Sequence, residues 1–93
     1  MELKVISKDL EIKNKLGLHA RAAAKLVHTA ARFKSDVKVR RGSEEVDAKS
    51  ILGILLLAAA QGTTITVCAA GEDEGEALQS IETLIESRFD ESE

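Results

Sequence analysis

The chain has no tryptophan, no tyrosine, no proline and a single cysteine. One thiol cannot close an internal disulfide, so the cross-linked frameworks of small secreted domains are excluded and a reducing compartment is suited. Cys68 falls in a strand-like run and reads as a small sheet or core residue. No aromatic residues are interleaved with the basic positions, and a formal net charge of -3 gives no support to nucleic-acid binding. The longest apolar stretch, Ile51 to Ala60, is about half the ~20 residues that a membrane span requires. Met1 to Val5 lacks the basic segment and apolar run of a secretory signal. A cytoplasmic protein with no membrane insertion is expected. Residues 1–93 suit one domain with a modest core.

What is present is concentrated in Asn14 to Val27, which reads Asn-Lys-Leu-Gly-Leu-His-Ala-Arg-Ala-Ala-Ala-Lys-Leu-Val. Gly17 ends the preceding extended pattern and permits a sharp turn. An alanine-rich run of high helix propensity follows His19. Ala23, Leu26, Val27 and Ala30 recur at the spacing of one buried helical face. His19 is thus placed at the mouth of a helix over Ala20–Arg32, where backbone N–H groups lack partners and the dipole attracts anions. That field disfavours a charged imidazole, so the ring is expected to stay neutral and nucleophilic. A phosphoryl group on the ring would meet N–H donors of Ala20 and Arg21 and the planar Arg21 fork. The pattern alone leaves open a polar cap residue with no chemistry.

The remaining chain supplies alternating and helical segments in turn. Leu3–Lys13 suggests a strand whose parity slips between Val5 and Ile6, as a bulge or bend would cause. On the exposed side of the first helix, Arg21, Lys25, His28 and Arg32 form a basic stripe suited to an acidic partner. His28 has no second ligand at metal spacing, and neither a metal nor a cofactor is expected. Asp36–Arg40 alternates, Gly42-Ser43 offers a hairpin turn, and Glu44–Val46 returns with charges opposite those of Arg40 and Arg41. Ser50 precedes an apolar run as a helix cap. Gly53 within that run leaves room for something to approach closely. Ile51, Leu52, Ile54, Leu55 and Leu56 exceed what one helical face can bury, so Leu52 and Leu55 are expected at the surface as an interaction patch. Gly62 should close this helix. Thr64–Ala70 supplies a fourth strand, and Glu72, Asp73 and Glu74 lead a last helix with Leu78, Ile81, Leu84 and Ile85 inward. The acidic end from Asp90 is expected to fray into solvent. The order is βαββαβα, an α+β domain with helices on one face of an antiparallel sheet.

Gly17-Leu18-His19-Ala20-Arg21, followed by Lys49-Ser50-Ile51-Leu52-Gly53-Ile54-Leu55, resembles the HPr family of histidine-containing phosphocarriers. These serve the bacterial phosphoenolpyruvate-dependent phosphotransferase system. The resemblance covers nearly the whole chain. It implies an open-faced β-sandwich with a four-stranded antiparallel sheet and three helices. It also implies that His19 accepts a phosphoryl group on Nδ1 from enzyme I and passes it to sugar-specific or nitrogen-regulatory acceptors. Ala20 and Arg21 would hold the phosphate, and Ser50 matches a serine that a dedicated kinase phosphorylates in many bacteria. Arg21, Lys25, Lys49, Leu52 and Leu55 would dock partner proteins. A monomer is expected.

Ala22 stands where the family most often has proline, and it marks a branch variant. A carrier must give its phosphate away, so a shallow, exposed site is expected, supplying positioning and charge stabilisation. Two readings of other classes remain on residues alone. One is a non-catalytic regulatory module binding through the second helix. The other is a ferredoxin-like ligand-sensing domain. His19 and Arg21 beside Gly17 weigh against the first, and the lack of a second glycine-rich ligand loop weighs against the other.

Overall fold

The computed structural model describes residues 5–92, in the order β1 (Val5–Glu11), α1 (Ala20–Ala31), β2 (Asp36–Arg41), β3 (Glu44–Asp47), α2 (Ile51–Leu56), β4 (Thr64–Ala70) and α3 (Glu74–Glu86). A short turn of 3-10 type, Arg88–Asp90, follows α3. The strands form one antiparallel sheet in the order β1-β4-β2-β3. The helices cover one of its faces, giving the open-faced sandwich and the βαββαβα order expected. Among the described residues no helix is long and apolar enough to cross a membrane.

Strand alternation decides which side chains meet the helices. Leu10, Val37, Val39, Ile65, Val67 and Ala69 point inward and are buried against Leu26, Ile54, Ile81, Ile85 and Phe89. Cys68, half-buried, lies on the opposite face, in register with Ser7 and Lys38. The hairpin forms as its charges suggest, with Arg40 opposite Glu45 and Arg41 opposite Glu44. No bulge interrupts β1 over the described residues: its register runs unbroken from Val5 opposite Ala70 to Glu11 opposite Thr64. The parity slip arises because Val5 is an exposed outer-face residue, 62% accessible. Leu3 and Lys4, included in the expected strand, lie outside the described residues.

The second helix stops well short of Gly62. Ala58 adopts a left-handed backbone (φ +50) just past the end of α2. The Arg41 guanidinium donates to the terminal carbonyl of Leu57 at 2.8 Å. This early stop frees Ala59 to meet the chain ahead of α1. Gly53 does allow a close approach, and β3 makes it: a Cβ there would sit 3.1 Å from Cβ of Val46. At the head of α3, Asp73 turns away from its own helix. Its carboxylate accepts from the backbone N–H groups of Lys34 and Ser35 at 2.9 Å and from Ser35 Oγ at 2.5 Å. Those donors hold the Asp73 carboxyl down at about 2.

The end of the chain overturns the expectation of fraying. Asp90 is exposed, but Phe89 is fully buried and Glu91 packs back onto the domain. Burial of a phenylalanine outweighs the solvation of its acidic neighbours.

Candidate functional site

The site is assembled by the turn into α1. Gly17 has φ +66, and a Cβ there would lie 2.5 Å from the Ala59 carbonyl oxygen and 2.9 Å from Cα of Ala60. Only glycine meets both conditions, a left-handed backbone and contact with another main chain. Gly17 N–H donates to the Asn14 carbonyl at 3.1 Å, and Leu18 N–H donates to the Ala59 carbonyl at 2.9 Å. His19 then occupies the N-cap with an extended backbone, and its carbonyl accepts the first intrahelical bond, from Ala23 N–H at 2.8 Å.

His19 does not behave as a cap: its side chain makes no bond to the helix. The imidazole turns instead toward Glu91, with Nε2 against Oε2 of the carboxylate. Nδ1 has no partner among the described residues, and neither have the backbone N–H groups of Ala20 and Arg21. The His19 side chain is 27% exposed. It opens on a shallow hollow of about 540 Å³ lined by Lys15, Leu16, His19, Arg21, Glu91 and Ser92. The Arg21 guanidinium is exposed and makes no hydrogen bond or ion pair among the described residues. The hollow thus brings the His19 ring together with the Arg21 guanidinium, at a helix start whose first amide donors have no partner among the described residues, a set suited to a phosphoryl group.

Two members of the site were not singled out from the sequence. Asn14 is completely buried, and its Nδ2 donates to the Gly17 carbonyl at 2.7 Å and to Glu91 Oε1 at 3.0 Å. Glu91 comes from the far end of the chain. Its burial pushes the carboxyl up, but hydrogen bonds from His19 and Asn14 and the nearby Lys25 charge outweigh this and leave it lowered. The helix field expected to keep the ring neutral therefore does not act alone: a carboxylate faces the ring's other side. Asn14 belongs to the stretch already singled out, and a buried amide there could have been suspected from its neighbours. Nothing local marks Glu91 among the terminal acids.

The other sequence-derived positions divide into engaged and open ones. Lys25 Nζ donates to the Phe89 carbonyl at 2.6 Å, and Lys49 Nζ donates to the Phe33 carbonyl at 2.9 Å. Ser50 caps α2, its Oγ accepting from Gly53 N–H at 3.1 Å. Leu52 and Leu55 lie on the surface, joined there by Ile51 and Leu56, while Ile54 is buried. His28 on α1 and Arg32 at its C-cap are exposed, and Leu16 adds an apolar side chain to the lining of the hollow.

The sequence model of the family described as "PTS HPr component phosphorylation site" matches residues 6–87. The chain belongs to the HPr family. It is 51% identical over 87 residues to the phosphocarrier protein HPr of Xylella fastidiosa, covering 94% of this chain and 98% of that one. It is 49% identical over 89 residues to that of Cupriavidus necator, covering 96% of this chain and all of the other. The crystal structure of HPr-C-His from Thermoanaerobacter tengcongensis superposes with a TM-score of 0.92 at 45% identity, over 95% of this chain and 99% of that one. The family match contains His19, Arg21 and Ser50 and stops at Ser87, short of Phe89 and Glu91.

Proposed function

We propose that this chain is a phosphocarrier of the phosphoenolpyruvate-dependent phosphotransferase system. His19 accepts a phosphoryl group from enzyme I on Nδ1 and passes it to sugar-specific or nitrogen-regulatory components. The observation that carries this is a partly exposed N-cap histidine whose ring does not cap. Its Nδ1 has no partner among the described residues, and the ring lines the same hollow as the Arg21 guanidinium, which is likewise unpaired among them. In transfer, the Nδ1 lone pair forms a bond to phosphorus. The bond from phosphorus to the donor breaks, and its electron pair leaves with the donor. Amide donors of Ala20 and Arg21 and the guanidinium then stabilise the phosphoryl oxygens, which is the electrostatic work such transfers need. The same steps in reverse deliver the group onward.

Partners would dock on the exposed apolar surface of α2, Leu52 and Leu55 with Ile51 and Leu56, beside the basic residues of α1 and Lys49. Lys25 contributes its charge there while tethered to the Phe89 carbonyl. Ser50 is the regulatory position: its hydroxyl proton is not used in capping, and a kinase would place a dianion at the start of α2. The protein acts as a monomeric, cytoplasmic, single-domain carrier. Incubation with phosphoenolpyruvate and enzyme I tests the reading. Acid-labile phosphate should form on the wild type and vanish in His19→Ala; phosphate retained by His19→Ala, or none on the wild type, refutes it.

A further inference from the structure

We propose that Glu91, aimed by Asn14, is a positioning residue for His19, and that the left-handed turn after α3 serves to deliver it. The proposal rests on the phosphocarrier reading and concerns residues beyond the segment that the family match covers. Arg88, Phe89 and Asp90 take φ values of 59, 55 and 62°, three successive left-handed residues, none of them glycine. L-residues avoid this region because Cβ crowds the following carbonyl, so such a run persists only where its surroundings impose it. Here they do. Phe89 is fully buried in the core, and Lys25 holds its carbonyl at 2.6 Å. The N–H groups of Asp90 and Glu91 donate back to Ser87 and Arg88 at 3.0 and 2.9 Å. Burial of Phe89 anchors the segment, and the left-handed turn around it sets where Glu91 falls. The chain doubles back and lays a carboxylate on the histidine.

Asn14 completes the device. Its two Nδ2 protons go to the Gly17 carbonyl and to Glu91 Oε1, and its Oδ1 is buried with no partner among the described residues. The amide is thus used for its donors. One donor fixes the turn that carries His19, and the other steers Glu91 so that Oε2 faces the ring. A carboxylate on Nε2 keeps the proton there and leaves the Nδ1 lone pair available for bonding. When Nδ1 bonds to phosphorus, and the old bond to the donor breaks with its electrons, the ring becomes cationic. Glu91 balances that charge in place, among the cations Lys15, Arg21 and Lys25. On onward transfer the N–P bond breaks, its electron pair returns to Nδ1, and Nε2 keeps its proton throughout. The carboxylate therefore assists both directions, because both pass through a positively charged ring.

The test uses the full chain with Glu91→Gln, Glu91→Ala and Asn14→Ala. In NMR spectra at alkaline pH, the wild type and Glu91→Gln should show a slowly exchanging His19 Nε2–H resonance, and Glu91→Ala should lose it. Transfer from enzyme I should slow by about tenfold in Glu91→Ala, the size expected for losing one charge-assisted hydrogen bond in the transition state. Glu91→Gln, which keeps an acceptor but no charge, should fall between, with an unchanged melting temperature. Asn14→Ala should add little once Glu91 is alanine. If Glu91→Ala keeps both the resonance and the wild-type rate, the proposal is overturned. Failure of the wild type to take phosphate would instead sink the carrier reading, and the ring resonance would still report on the Glu91 contact. Should Asn14→Ala not fold, the two Glu91 variants decide alone.

Discussion

Replacing Gly17 by alanine separates two penalties that the structure superimposes, because Gly42 carries only one of them. Both have similar positive φ, +66 and +60, but a Cβ at Gly42 meets nothing within 4 Å. Gly42→Ala therefore incurs the left-handed penalty alone, about 1–2 kcal/mol, partly offset by a less flexible unfolded chain, for a net of about 1 kcal/mol. Gly17→Ala adds a 2.5 Å overlap with the Ala59 carbonyl oxygen, and a second overlap with Cα of Ala60. Both are backbone atoms, which cannot rotate aside. The strands of chain must separate, weakening the Leu18 to Ala59 hydrogen bond. Overpacking of about 1–3 kcal/mol and a lost bond of about 1 kcal/mol bring the total to roughly 3–5 kcal/mol. For a chain of this size each kcal/mol lowers the melting temperature by about 4–8 °C. Thermal and urea denaturation followed by circular dichroism should show Gly42→Ala falling by about 4–8 °C and Gly17→Ala by more than about 12 °C. Equal losses would show that the close approach to Ala59 has no energetic weight.

Ser50→Ala removes the bond from Gly53 N–H and should destabilise the protein by about 1 kcal/mol in urea titration. Ser50→Asp keeps an acceptor there while adding charge beside the apolar surface of α2, and should slow phosphorylation by enzyme I; an undiminished rate contradicts the regulatory role. For Asp73, the folded carboxyl sits at about 2, below its ordinary 3.8, so its contribution is complete above that ordinary value. It disappears as the pH falls through the folded value. Wild type should be more stable than Asp73→Asn at neutral pH, with the difference closing between about pH 4 and pH 2. A difference that stays constant across that window would mean the carboxylate is not the source.

The elements were legible because their signals are local. The helical spacing of Leu26 and Ala30, the Gly42-Ser43 turn and the alternation of Thr64–Ala70 each need only a few neighbouring residues. The same is true of Gly17 and His19, which announce a turn and a helix start within three positions. The early stop of α2 was not legible, since it depends on Ala59 bonding to Leu18 and on Arg41 reaching Leu57. Nor was the partner of His19. Glu91 lies 72 residues away in sequence, among acids that look alike until Phe89 is seen to be buried. Lys25 read as a surface cation on helical spacing and Lys49 as a docking cation by resemblance, and only the fold reveals the carbonyls that they serve.

The bare side of the sheet offers an experimental opening. Its one thiol, Cys68, projects from a central strand, away from the helices and from the hollow around His19. A thiol-reactive dye or spin label attached there would be stoichiometric without any engineering. It would report enzyme I binding from behind the proposed docking surface rather than from within it.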